Sequence, residues 1–131
     1  MQFVLLGLLS LALNLNMLLF GEIDYLLKAF FSILIIDYIT GILKAIKKRG
    51  LSPYIAILGV IKKIGYICVV VTSVILGNIL EVGNYLRDIV LYSFLFNEML
   101  SILGNCKELG IVLPSILQKS LEKIDEKTNK E

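Results

Sequence analysis

Four long apolar runs constrain this chain more than any other feature of its sequence. They cover approximately residues 3–20, 26–46, 57–80 and 86–105. A helix needs about 20 apolar residues to cross ~30 Å of hydrocarbon, so each run predicts a membrane-spanning helix. Hydrophobic residues make up 57% of the 131 residues, which is more than a soluble domain of this size carries. We therefore predict an all-α integral membrane protein, a small bundle of about four transmembrane helices.

The charged segment after the fourth run predicts a separate tail. Beyond Pro114, apolar side chains fall on one helical face and charged side chains on the other. The apolar face consists of Ile116, Leu117, Ser120, Leu121 and Ile124. We thus predict a transmembrane domain over residues 1–112 and a cytoplasmic tail over residues 113–131, a short amphipathic helix that frays into solvent.

Basic residues are concentrated at one end of the predicted bundle. Eleven of the thirteen lysines and arginines lie around the turn between the second and third runs or after the fourth run. Four of them, Lys44, Lys47, Lys48 and Arg49, lie at the end of the second run and in the turn that follows it. Because basic residues near spanning helices stay on the cytoplasmic side, this distribution predicts that both termini are cytoplasmic.

The first run has alternatives to a retained span. The orientation is self-consistent only if residues 3–20 span, but an interfacial helix or a cleaved signal peptide would also be apolar. The chain has no basic residue before this run and no small-residue cleavage site before Gly21, which favours the span. Translation starting at Met17 is a further alternative, because it would remove most of the run and leave three spans.

One carboxylate, Asp37, lies near the middle of the second run. A central aspartate costs about +2.5 to +3.5 kcal/mol of insertion free energy, whereas central Leu, Ile and Phe residues contribute about −0.3 to −0.6 kcal/mol each. Residues 26–46 contain twelve of these apolar residues, so the run inserts. Asp37 should then face protein, water or a partner rather than lipid. Thr40, Gly41 and Lys44 share its helical face.

Charged residues at matching depth occur in the third and fourth runs. The fourth run carries a polar stripe of Asn97, Glu98, Ser101 and Asn105, and the third run carries Lys62 and Lys63. Because hydrocarbon penalises an unpaired charge, we expect Asp37 to pair with one lysine and Glu98 with the other. Such pairs either fix helix register or line an aqueous path between assembled copies, and the sequence leaves both open.

Two pairs of small residues favour close helix packing. Gly41 with Ala45, and Ser73 with Gly77, are each four residues apart and would let neighbouring helices approach closely. The first pair lies beside the Asp37 face, which favours a packing role there.

Catalysis, metal binding and nucleic-acid binding are not expected. The chain has no histidine, so a zinc cluster or serine triad of the usual kind has no parts. A net charge of +2 is too small to indicate nucleic acid. We therefore predict a protein that is not an enzyme and binds no cofactor.

Four ordered blocks resemble the phage lysis and toxin-secretion holins of clostridia and bacilli. The blocks are Asp37, Thr40, Gly41, Lys44 and Lys47; Gly59, Lys62 and Lys63; Asn97, Glu98, Ser101, Ile102 and Leu103; and Gly110 with Pro114. The similarity spans roughly residues 23–127. Departures from the family pattern are Ser52 and Pro53, where a Ser-Ser pair is usual, and Asn78, where an aspartate is often found.

The resemblance implies a homo-oligomer in the bacterial cytoplasmic membrane. Holins accumulate there and open a lesion that releases an endolysin or a large toxin, without necessarily binding that cargo. Asp37 and Glu98 would then be the residues whose burial is relieved by assembly, with Lys62 and Lys63 as counter-ions. Two alternatives remain: a small proton-coupled multidrug exporter, which also needs intramembrane carboxylates, and a non-pore scaffold that recruits a partner through its tail.

Overall fold

The protein is helical throughout the part that the structure, a computed structural model, describes. That part comprises residues 1–50 and 52–128, without the side chains of residues 124, 125 and 128. The helices are α1 (Gln2–Phe20), α2 (Tyr25–Lys47), α3 (Pro53–Ile79), α4 (Tyr85–Glu108) and α5 (Ser115–Thr128). The first four are long and apolar enough to cross a membrane, so the predicted fold class is confirmed.

The helix bounds agree with the predicted runs within a few residues. The largest difference is at α3, which begins at Pro53 rather than at residue 57. Proline suits the first turn of a helix, because its φ angle is already helical and its missing N–H would have no partner there. In the tail, α5 follows Pro114 as predicted, while residues 129–131, where fraying was predicted, lie outside the described residues.

Helix α4 is the centre of the bundle. It packs most extensively on α2 and next on α3, whereas α2 and α3 touch each other sparingly. Helix α1 packs against α3 and contains no buried residue, so its surface is left for lipid. The sparse α2–α3 contact leaves a gap between these helices.

A packed apolar layer fills one half of the bundle. It consists of Leu27, Phe30, Leu34, Val70, Leu91 and Leu95. The three α2 residues are spaced three and four apart, as one helical face requires. Next to this layer, the rings of Tyr66 and Phe94 stack with centroids 4.0 Å apart. The helices are therefore held together mainly by apolar packing in this half.

The end of the bundle nearest the apolar layer is closed by Arg87. This side chain is fully buried and donates to the carbonyl oxygens of Phe20 and Glu22 at 3.1 and 2.6 Å. It also donates to the carboxylates of Asp24, at 2.5 Å, and Asp88, at 3.0 and 2.8 Å. These five hydrogen bonds use all five N–H donors of the guanidinium. Arg87 thus attaches the α1–α2 turn to the start of α4.

The predicted small-residue pairs lie in different surroundings. A Cβ atom on Gly77 would lie 2.5 Å from the carbonyl oxygen of Gly83, so the close neighbour here is the α3–α4 turn. Ser73 is buried and donates to the carbonyl oxygen of Val70 at 2.6 Å. A Cβ atom on Gly41 would lie 3.8 Å from the amide nitrogen of Asn105, so Gly41 faces α4.

Candidate functional site

Two carboxylates from the middle of α2 and α4 meet two lysines from the first half of α3. We call Asp37, Glu98, Lys62 and Lys63 the charged cluster. Asp37 follows Leu34 by three residues, so it continues the α2 face that carries the apolar layer. Glu98 follows Leu95 in the same way on α4. The same periodicity that packs one half of the bundle therefore brings the two carboxylates together in the other half.

Lys63 connects both carboxylates. Its Nζ donates to Asp37 Oδ2 at 2.9 Å and to Glu98 Oε2 at 2.7 Å. The side chain of Glu98 is completely buried, and those of Lys63 and Asp37 are 14% and 13% exposed. The contact of Lys63 with Asp37 is one of the two expected pairs. Its contact with Glu98 is additional, because one ammonium donates to both carboxylates.

Lys62 occupies the edge of the cluster. Its Nζ lies 3.3 Å from Glu98 Oε1, which is the other expected pair, and its side chain is 55% exposed. Among the described residues, Glu98 Oε1 accepts no hydrogen bond of good geometry, so the contact is an ion pair at short distance. Lys62 also lies 5.3 Å from the ring centroid of Tyr66, within cation–π range.

Asn105 and Thr40 extend the cluster along α2 and α4. The buried amide of Asn105 donates to Thr40 Oγ1 at 3.1 Å and, at 3.4 Å, to Asp37 Oδ1. Thr40 in turn donates to the backbone oxygen of Asp37 at 3.0 Å. The sequence puts Asn105 on the polar stripe but gives no sign that it joins the charged residues, other than its seven-residue spacing from Glu98.

A cavity of about 520 Å³ opens beside the cluster. It lies between α2 and α3, and Ser101 and Asn105 of α4 also line it. Small residues make room for it, namely Gly41 and Ala45 on α2 and Ala56 and Gly59 on α3. Asn97, by contrast, is exposed and has no hydrogen bond or ion pair with the cluster among the described residues.

The residues predicted to fix topology gather at the end of the bundle beyond the cluster, which we call the basic end. Lys44 lies 3.8 Å from a carboxylate oxygen of Glu108, and Lys48 contacts the other oxygen. Lys47 donates to the backbone oxygen of Glu108 at 3.2 Å. The ends of α2 and α4 are therefore joined by lysines that converge on one glutamate. Arg49, the fourth residue of this group, has a positive φ of 52° in the α2–α3 turn.

The electrostatics of the cluster favour internal pairing. Two positive and two negative charges cancel, and each carboxylate has a lysine of the same chain within ion-pair distance. Asp37 and Glu98 therefore need no second copy of the protein to neutralise them. That assembly relieves their burial stays a prediction. In a single chain, Lys62 has the most exposed side chain of the four.

Outside the membrane-spanning helices, Asp24 has a lowered pKa. Burial alone raises the pKa of this carboxyl group, but hydrogen bonds from the Leu27 N–H and the Arg87 guanidinium outweigh that effect and bring it below the ordinary value of 3.8. Asp24 therefore remains charged beside Arg87 and also caps α2.

Most of this chain is similar in sequence to proteins of one known family. The sequence profile of the bacteriophage holin family matches residues 15–126. A probable holin of Bacillus phage phi105 is 32% identical over 117 residues, covering 86% of each chain. Uncharacterised proteins of Clostridium perfringens strain 13 and Listeria innocua are 32% and 34% identical, covering 84% and 86% of this chain and 82% and 81% of theirs. No solved structure matches this chain.

Proposed function

The chain belongs to the bacteriophage holin family, and from this membership we propose that copies of it oligomerise in the bacterial cytoplasmic membrane and open a lesion. The lesion releases an endolysin, or a large protein toxin where secretion is the task. Both termini face the cytoplasm, because the basic end then lies on the cytoplasmic side. Asp37, Glu98, Lys62 and Lys63 carry the change from dispersed to assembled chains.

The observation that supports a lesion best is the charged cluster beside an open cavity. Three of the four charged side chains, Asp37, Glu98 and Lys63, are almost entirely buried within spanning helices, and even paired charges are costly there because each loses its hydration. Replacing a buried ion pair by apolar residues of similar volume is often neutral or stabilising, so a purely structural bundle has little need of these charges. The charged cluster therefore supports a function in which dispersed chains go on to assemble.

Assembly provides a physical route to the open state. When several copies meet, the cavity between α2 and α3 widens into a shared aqueous space, and Lys62 becomes hydrated first because it is already partly exposed. Water at Lys62 weakens its ion pair with Glu98 by raising the local dielectric constant. The stripe of Glu98, Ser101 and Asn105 then lines the water-filled path.

Induced expression in a bacterium tests this function. Cultures express the chain alone, a cell-wall hydrolase without a signal peptide alone, or both together, while turbidity and release of a large cytoplasmic enzyme are followed. We expect abrupt, timed lysis only with both proteins, and collapse of a membrane-potential dye with the chain alone. Resistance to cationic drugs without lysis would instead indicate an exporter. An absence of both effects would indicate a scaffold.

Replacing the hydrolase by a large toxin without a signal peptide tests the choice of cargo. Release of both proteins at the same time after induction would indicate a lesion that does not select its cargo. Release of one protein alone would contradict the proposal that cargo leaves without direct binding.

A further inference from the structure

Lysines outnumber carboxylates around the cavity between α2 and α3. Lys44, Lys48, Lys62 and Lys63 all line it, and the carboxylates within ion-pair distance of them are Asp37, Glu98 and Glu108. Glu108 is shared by two lysines, and so is Glu98. Since each ammonium has three N–H donors, donors remain available on this wall of the cavity. The cavity therefore suits an anion.

The lysines lie where a phospholipid headgroup would be. Lys44 and Lys48 are at the last turn of α2, at the basic end. Lys62 is nine residues after the start of α3, or ~14 Å along a helix that rises 1.5 Å per residue. Because α3 has 27 residues and a length of ~40 Å, it extends beyond a ~30 Å hydrocarbon core. The Lys62 ammonium is then within reach of the interface, where lysine side chains extend toward headgroups.

The other wall of the cavity is apolar and open to lipid. Ile42, Ile55 and Ala56 line it, and Ile55 is 59% exposed on the lipid-facing side of the bundle. Helices α2 and α3 touch sparingly, so the space between them stays open beside the Asp37–Lys63 ion pair. A small inorganic anion would leave the apolar wall without a partner, whereas the first carbons of an acyl chain would cover it.

We propose that this cavity binds an anionic phospholipid of the leaflet at the basic end, with its phosphate among the lysine ammonium groups and the start of one acyl chain between α2 and α3. Basic pockets between transmembrane helices are suited to acidic headgroups. This site rests only on insertion of the four helices in the membrane. It does not depend on lesion formation, so it holds for the dispersed protein even if lysis assays fail.

Native mass spectrometry of the purified full chain in detergent tests the site. Dioleoylphosphatidylglycerol and dioleoylphosphatidylcholine are added at equal concentrations, and the lipid-bound fraction is measured for each. We expect preferential binding of the phosphatidylglycerol. The double variant K44Q/K48Q should bind it about tenfold more weakly, because each lysine near a headgroup contributes measurably to binding. The control K119Q/K123Q removes the same charge from α5, outside the cavity lining, and should bind normally.

A cavity-filling variant separates shape from charge. In Ala56→Leu the lysines are unchanged but the apolar wall is occupied, so we expect weaker phosphatidylglycerol binding with helicity preserved. Inorganic phosphate added in excess should displace little lipid. Equal binding of both lipids, equal losses in the two double variants, or full displacement by inorganic phosphate would each overturn the proposal. The last result would indicate a small-anion site.

Discussion

Lys63 is the central side chain of the charged cluster, because it contacts both carboxylates. Replacing it by methionine would keep the volume but leave Asp37 and Glu98 to repel each other in a site with little water. Removing one partner from a buried ion pair costs about 3–5 kcal/mol. We therefore expect Lys63→Met to lower the free energy of unfolding by about that amount, as measured by helicity during SDS titration in mixed micelles.

Lys62 provides the matched control for this prediction. It precedes Lys63 in the sequence, but its side chain is 55% exposed and pairs with one carboxylate of the cluster, Glu98, instead of two. Partly exposed pairs contribute about 0–1 kcal/mol, so Lys62→Met should have a small effect. If the two variants lost equal stability, Lys63 would not be the residue that holds the cluster together.

The lowered pKa of Asp24 predicts how acid affects stability at the end of the bundle near Arg87. Because its pKa in the folded protein lies below the ordinary 3.8, its charge stabilises the fold above that pH. The contribution is lost as the pH falls through the lowered pKa. Asp24→Asn retains an N-cap oxygen but has no charge for Arg87. We expect the variant to be less stable than the natural chain near pH 6, and the difference to shrink near pH 2.

The same unfolding titration, run at both pH values, measures this difference. Subtracting the variant from the natural chain removes the effects of the other carboxyl groups, which titrate in both. A gap in stability that widened as the pH fell would contradict the role given to the Asp24–Arg87 pair.

At the scale of elements, the α3–α4 connection depends on a close backbone approach at Gly77. A Cβ atom there would lie 2.5 Å from the carbonyl oxygen of Gly83, and a backbone atom cannot move aside as a side chain can. Gly77→Ala should therefore lower the free energy of unfolding by roughly 1–3 kcal/mol. Gly65 is the control on the same helix, because a Cβ atom there meets nothing within 4 Å. Destabilisation by Gly65→Ala as well would point to helix flexibility instead.

The four long helices and their approximate bounds could be predicted from the sequence, because an apolar run of this length rarely forms anything other than a spanning helix. The depth of Asp37 and Glu98, and the presence of Lys62 and Lys63 at a matching depth, followed from counting along the runs. These inferences rest on local spacing, which a single chain records directly. Which lysine pairs with which carboxylate, and the contact of Lys63 with both, did not follow from that counting.

The Arg87 network and the cavity could not be predicted in the same way. Arg87 looks like an ordinary interfacial base, and its burial depends on how the α1–α2 turn meets α4. The spacing held one clue, because Arg87 shares a helical face with the other buried residues of α4. These are Leu91, Leu95, Glu98 and Asn105. The cavity depends on the sparse contact between α2 and α3, which is a property of the packing and not of either helix alone.

The whole molecule is divided along the membrane normal into two halves. The half near Arg87 is filled by the apolar layer and closed by hydrogen bonds, whereas the half near the basic end contains the charged cluster and the cavity. Such an arrangement lets one half hold the helices together while the other half admits water. In our proposal the helices move apart first in the half near the basic end, and this opening begins at the charged cluster.

Asp37 is the residue that tests this account with the least damage to the fold. In Asp37→Leu the ion pair between Lys63 and Glu98 and the hydrogen bond between Asn105 and Thr40 are retained. Ser32→Leu is the matched control, because it adds the same side chain at an exposed position of α2.

The most direct measurement is the time of lysis after induction with a co-expressed hydrolase, at equal amounts of membrane protein for the natural chain and the two variants. We expect Asp37→Leu to shift the lysis time clearly, because the cluster has lost one of its two negative charges. Ser32→Leu should lyse on the natural schedule. An unchanged lysis time in Asp37→Leu would contradict a role for the charged cluster in opening the membrane.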